Sequence, residues 1–200
     1  MSQLDENTKK EELTAESKKP GSFSIGLVEQ IELIVIALAD IILLFSFVFR
    51  TCRVSGPSME NTLFNNETVV ISNMFYKPER NDIVVIHQTG ALNEPIVKRI
   101  VGLPGETVNI EYYSDTMTVT IIDKDGYATV LKEPHIKYEG LPPYYSSSTY
   151  VEEGTVFVMG DNRNNSADSR DSRIGLVDDR RILGKVVFRV TPISRIGIVK

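Results

Sequence analysis

Nineteen residues, Ile31 to Phe49 (IELIVIALADIILLFSFVF), form an apolar run interrupted only by Glu32, Asp40 and Ser46. At about 1.5 Å per residue such a run makes a helix about 28 Å long, close to the apolar thickness of a bilayer. It is expected to be a transmembrane helix. A cleavable secretory leader is the competing reading, but its apolar part is shorter, about 7–15 residues, behind a basic segment. Here the preceding segment is long and acidic as well as basic. Ala37-Leu38-Ala39 has the look of a cleavage site yet stands in mid-span, out of reach of processing. The run is therefore read as an uncleaved anchor over residues 26–50.

Residues 1–25 carry nine charges of mixed sign and few large apolar side chains, which reads as a disordered tail on the cytoplasmic side. Lys9, Lys10, Lys18 and Lys19 before the span outnumber Arg50 and Arg53 after it, placing the N-terminus inside and the remaining chain on the outer face. Asp40 at mid-span costs about 2.5–3.5 kcal/mol on insertion scales. It is protonated, paired with another membrane helix, or tolerated.

From residue 51 to 200 the pattern changes to short runs rich in Val, Ile and Thr, bounded by Gly, Pro, Asn and Asp. Candidate strands are Val69–Ile71, Ile83–Ile86, Ile96–Val101, Thr107–Ile110, Met117–Ile122, Ala128–Leu131, Val156–Met159 and Lys185–Val190. Asp125-Gly126 is a hairpin signal. The expected fold is mostly β, an antiparallel core with a small inserted β subdomain at about 106–153, where Tyr, Ser and Pro are frequent (Leu141-Pro142-Pro143-Tyr144-Tyr145). Tyr144, Tyr145 and Tyr150 suit either an ordinary surface or a membrane interface.

The net charge of -5 argues against binding a phosphate backbone, and no nucleic-acid motif is present. One cysteine, Cys52, cannot form an internal disulfide. His87 and His135 have no Cys or His companion at ligand spacing, so neither metal nor cofactor is expected.

Three segments carry candidate chemistry. Gly56-Pro57-Ser58-Met59 follows the membrane exit, and Gly and Pro there set a turn that can expose the serine. A serine nucleophile needs a base. His87, at a strand end, reads better as a half-buried structural residue. In Ile96-Val97-Lys98-Arg99-Ile100-Val101-Gly102, strand alternation points Lys98 and Arg99 to opposite faces, so one cation must lie on an apolar face. Lysine can lose its proton there; arginine effectively cannot. Lowering a lysine from about 10.4 to about 7 requires roughly 4–5 kcal/mol, which burial can supply. A lysine snorkelling from a strand edge is the alternative. The third segment, Gly160-Asp161-Asn162-Arg163-Asn164-Asn165-Ser166-Ala167-Asp168-Ser169-Arg170, is a polar loop at a strand end. It fails as a calcium loop because Arg163 falls where an oxygen ligand belongs, but its charges can satisfy one another and hold a neighbour rigidly.

Taken together and in this order after one span, these segments resemble the bacterial type I signal peptidases. Gly56-Pro57-Ser58-Met59-Glu60-Asn61-Thr62-Leu63 is similar to the family's nucleophile block, Arg80-Asn81-Asp82-Ile83-Val84-Val85 to a short strand block, Val97 through Glu106 to the lysine block, and Gly160 through Arg170 to the last block. The resemblance implies that Ser58 attacks the scissile carbonyl and neutral Lys98 takes its proton. It further implies that a hydroxyl at Ser166 orients the lysine, and that Asp161, Arg163, Asp168 and Arg170 form a supporting ion-pair network. Val54, Met59, Leu63 and Val97 would line small apolar pockets, suiting secreted preproteins with Ala-x-Ala-like endings. The implied enzyme works in the lipid bilayer as a monomer. Two positions depart from the common pattern. Asn61 stands where many members have proline, suggesting a less rigid turn. Gly56 stands where some have a serine that holds the oxyanion, leaving the Ser58 backbone N–H as donor.

Rival readings remain. A self-cleaving repressor shares such a dyad and a β core but would carry a DNA-binding module instead of the apolar span. A signal-peptidase-like protein without catalysis, assisting assembly of surface structures, would not need Ser58 and Lys98 intact.

Overall fold

The apolar run and the β-type runs behind it fold separately. In this computed structural model, residues 22–87, 94–113, 116–134, 136 and 144–199 are described. The expected tail lies outside the described residues as far as residue 21, as do His135 and Leu141-Pro142-Pro143. The chain divides into two units, one ending at Ser46 and the other starting at Phe47.

The first unit holds all but the last two residues of helix α1, Ser22–Val48, whose 27 residues extend about 40 Å at the usual rise. It starts before and ends slightly before the expected 26–50. Its large apolar side chains from Leu27 to Leu43 are at least half exposed. Judged on the described side chains alone, no helix is long and apolar enough to cross a membrane. The continuous described stretch, 26–43, is interrupted by Glu29, Glu32 and Asp40.

The second unit is built from antiparallel β-sheet. Its strands are β1 (Phe49–Arg53), β2 (Thr68–Ser72), β3 (Ile83–Ile86), β4 (Ile96–Gly102), β5 (Thr107–Tyr113), β6 (Thr116–Ile122), β7 (Ala128–Val130), β8 (Tyr144–Tyr150), β9 (Thr155–Met159), β10 (Val177–Asp178), β11 (Ile182–Thr191) and β12 (Gly197–Ile198). The larger sheet runs β1-β2-β11-β3-β4-β9-β10, with β12 on β11, and the smaller runs β7-β6-β5-β8. All eight strands expected from composition form. The four others escape composition for physical reasons: β1 continues the apolar span, β8 is mostly Tyr and Ser, and β10 and β12 have two residues each.

The smaller sheet occupies the chain between β4 and β9, which pair directly in the larger one (Arg99↔Met159, Ile100↔Val158). Strands β5 and β6 alternate buried and exposed positions, the pattern of a sheet with one covered face. Val108, Ile110, Val119 and Ile121 pack against Val101, Phe157 and Met159 of the larger sheet. The turn between β6 and β7 forms at Asp125-Gly126, where Asp123 Oδ1 accepts the N–H groups of Asp125 and Tyr127, both at 2.9 Å. Strands β3 and β4 are buried almost throughout, so both faces of this part of the sheet are covered. That double cover sets up the site.

Candidate active site

The nucleophile turn is fixed from below. Val54 N–H donates to Glu67 O at 2.8 Å and Asn66 N–H to Val54 O at 2.9 Å, holding the chain as it leaves β1. Gly56 has φ +83°, and its N–H donates to Asn65 Oδ1 at 3.1 Å. Glu60 N–H then reaches Pro57 O at 3.0 Å and Leu63 N–H reaches Met59 O at 2.8 Å, so residues 57–63 form a compact double turn. Met59 and Leu63 drive it onto the core, at 1% and 0% exposure. Between these anchors Ser58 remains half-buried. Asn61 has φ +89°, in the left-handed region that Asn tolerates and proline cannot reach. The turn here therefore differs in conformation from one built with proline at this place.

Lys98 approaches from β4. Its Nζ donates to Ser58 Oγ at 2.8 Å and to Val97 O at 2.9 Å. The side chain is 3% exposed. Burial lowers its pKa from 10.5 to about 8; Asp168 and Asp161 pull it back up, and Arg170 adds a smaller depression. The alternative of a snorkelling lysine does not hold.

The loop after β9 supplies the floor. Ser58 O accepts Asn162 N–H at 3.0 Å, and Pro57 O accepts Asn162 Nδ2 at 3.2 Å. Gly160 allows this approach: a Cβ there would lie 2.2 Å from Ser166 Oγ and 2.5 Å from Ser58 O. Asp168, fully buried, accepts Arg170 Nε and Nη2 at 2.8 Å each and Gly160 N–H at 3.0 Å. Burial alone would raise the Asp168 carboxyl, but the Arg170 and Gly160 donors outweigh it and hold the carboxyl below its usual range.

The four expected network members do not close on one another. Asp168 pairs with Arg170, but Asp161 pairs with Arg99 of β4 through Nε at 2.8 Å and Nη2 at 2.7 Å. Arg163 reaches Glu133, in the segment joining β7 to β8, with Nη1 at 2.9 Å from Oε2. Thr62 Oγ1 donates to Asp161 Oδ2, tying the nucleophile turn to the loop, and Tyr112 OH lies 2.6 Å from Arg170 Nη1. Asn162, Thr62, Arg99, Glu133 and Tyr112 were not expected here. Of these, only Arg99 had a signal in the sequence, its place beside Lys98 in a run of Ile and Val. Ser166 lies beside Ser58 O, its hydroxyl buried without a hydrogen-bond partner among the described groups. Its closeness to Asp168 slightly favours that carboxyl's charged form.

Beside Ser58 opens a cavity of about 120 Å³, lined also by Arg53, Ser55, Glu94, Pro95, Ile96, Val97 and Lys98. Of the four expected pocket residues, Val97 lines this cavity. Val54, Met59 and Leu63 lie with Val97 in one buried cluster behind it, at 2%, 1% and 0% exposure. Among the described residues no group of His, Cys, Asp and Glu is arranged to hold a metal ion.

A serine hydroxyl against a buried amine of lowered basicity, at the edge of a small cavity in a β-sheet, is an arrangement that can serve a serine hydrolase operating without histidine. A profile of the signal peptidase family, peptidase S26, matches residues 27–191. Signal peptidase IB of Staphylococcus aureus is 32% identical over 187 residues, covering 84% of this chain and 91% of its own. A probable signal peptidase I-1 of Synechocystis is 34% identical over 180 residues, covering 84% and 85%. A solved signal peptidase I from Enterococcus faecalis shares 32% identity, with a TM-score of 0.42 over 56% of this chain and 98% of that one. The chain belongs to the signal peptidase family, peptidase S26.

Proposed function

We propose that this chain is a membrane-bound serine endopeptidase that removes N-terminal signal peptides from exported preproteins, with Ser58 as nucleophile and Lys98 as general base. The observation that carries the assignment is the 2.8 Å contact between Lys98 Nζ and Ser58 Oγ, with the amine buried. When Lys98 is neutral the hydrogen bond reverses, and the Ser58 hydroxyl donates to the amine lone pair. Proton transfer along it frees Oγ to attack the scissile carbonyl. The backbone N–H of Ser58 faces the developing oxyanion, and the Lys98 ammonium returns its proton to the departing amine. A water, activated by the same amine, then releases the acyl group. Val97 O holds the Lys98 amine at 2.9 Å, and the buried Ser166 hydroxyl, beside Gly160, is the group read as orienting it.

The cavity next to Ser58 suits small side chains of the Ala-x-Ala kind at the cut. Residues 31–49 act as a single-pass anchor in the bacterial cytoplasmic membrane, with the tail inside and the catalytic domain, from about residue 51, outside. Asp40 falls within that span. Intact Ser58 and Lys98, already in contact, support catalysis over the inactive assembly-factor reading.

Cleavage of a labelled preprotein by the purified full chain tests this. Ser58→Ala and Lys98→Met are each expected to lower kcat by at least about 10³-fold, the usual scale for losing a nucleophile or its base. Turnover by either variant within about tenfold of the parent would remove the dyad.

A further inference from the structure

The cavity beside Ser58 is lined by two stretches of chain, each leading to one member of the dyad. Arg53 and Ser55 precede Ser58, and residues 94–97 precede Lys98. Each stretch brings one exposed charge to the cavity, Arg53 from the first and Glu94 from the second. Proton transfer between Ser58 and Lys98 uses neither. Nor does either side chain have an ion-pair or hydrogen-bond partner among the described residues, so two opposite charges line one cavity without pairing.

Glu94 is the better placed of the two to meet a substrate. It stands two residues before β4, and Ile96, Val97 and Lys98 of that strand line the same cavity. Strand β4 pairs with β9 only from Arg99 onward, so away from β3 the edge at Ile96 and Val97 has no strand partner among the described residues. A substrate chain has room to lie along it. Four residues of chain span at most about 14 Å, so about four residues of an extended substrate separate the bond at Ser58 from the side chain beside Glu94. A lysine or arginine there would make a charge-assisted hydrogen bond to the free carboxylate. Beside Arg53 the same side chain would be repelled, so the two charges also decide which stretch it lies along.

We propose that Glu94 is a specificity-determining residue that selects preproteins carrying lysine or arginine within about four residues of the cut. The proposal rests on the reading of this chain as a peptidase with Ser58 and Lys98 as its dyad.

A preprotein offered to the full chain tests it, with Gln, Lys or Glu placed in turn at each position within about four residues of the scissile bond. The two small residues of the Ala-x-Ala ending are left unchanged. At one position Lys is expected to give a KM about two- to fivefold below that of Gln with kcat unchanged, the scale of a solvent-exposed ion pair. That advantage should vanish in Glu94→Gln, pass from Lys to Glu in Glu94→Lys, and fade in about 1 M salt. Glu94 is exposed and unpaired, so both variants are expected to fold as the parent does, which thermal unfolding checks. Cleavage of the Gln forms with no preference for Lys at any position would overturn the proposal and leave the peptidase standing. A preference for Lys that persists in Glu94→Gln would belong to another group and would also overturn it. Failure of the parent to cleave any form would overturn the peptidase reading and this proposal together.

Discussion

A lysine at its ordinary 10.5 is neutral in about 0.03% of molecules at pH 7, whereas one at about 8 is neutral in about 9%, roughly a 300-fold gain in usable base. That gain comes from burial, and burial has a consequence for stability. The folded state binds the Lys98 proton less tightly than the unfolded chain, so the charged amine destabilises the fold wherever both states are protonated, below about pH 8. The penalty fades as pH rises from about 8 to 10.5, where the unfolded state alone still holds the proton. Its full size corresponds to roughly 3 kcal/mol. Lys98→Met is therefore expected to be inactive yet more stable than the parent at pH 6–7, by up to about 3 kcal/mol. The advantage should shrink toward pH 10, as read from denaturant unfolding of the full chain at several pH values. A variant less stable than the parent at pH 6 would contradict a depressed lysine.

At the scale of elements, the site joins three pieces: the 57–63 turn, β4 and the loop after β9. Thr62 is the residue where turn, loop and the C-terminal segment meet. Its hydroxyl donates to Asp161, and its carbonyl accepts Arg189 Nη1 at 3.0 Å and Arg195 Nη2 at 3.3 Å. Thr62→Val keeps the shape and removes a hydrogen bond to a buried carboxylate, which costs about 1.5–3 kcal/mol. Reduced stability of that size and lowered kcat are expected, with Thr62→Ser restoring both; thermal unfolding and preprotein cleavage check them. The Ser58–Lys98 pairing came from the resemblance of four blocks in register; taken alone, Ser58 read as a turn residue and Lys98 as a snorkelling lysine. Alternation along β4 correctly separated Lys98 from Arg99. The expectation that one of them lies on an apolar face is met twice over: both faces are covered, and Arg99, 2% exposed, pairs with Asp161. Val54, Met59 and Leu63 read equally well as pocket or core. Only packing distinguishes the two, and it places them in the cluster behind the cavity.

Across the whole molecule, the smaller sheet does more than decorate the larger one. Arg163, 3% exposed, leaves the catalytic loop to pair with Glu133, and Arg170 contacts Tyr112 of β5. These contacts were invisible in the sequence because Glu133 lies in a charged, weakly patterned stretch with nothing to announce a partner 30 residues away. Removing one partner strands a buried charge, at about 3–5 kcal/mol. Glu133→Ala is expected to lose about that much stability by denaturant unfolding and to slow cleavage, although it touches neither Ser58 nor Lys98. A neutral effect would show that the sheets act independently.

The pH dependence of kcat/KM for a preprotein addresses the base itself, since that ratio follows ionisation in the free enzyme. The buried-lysine account predicts a rise governed by a single group with an apparent pKa of about 8. A profile flat from about pH 6 to 10, or one rising only near the ordinary 10.5 of a solvated lysine, would contradict it.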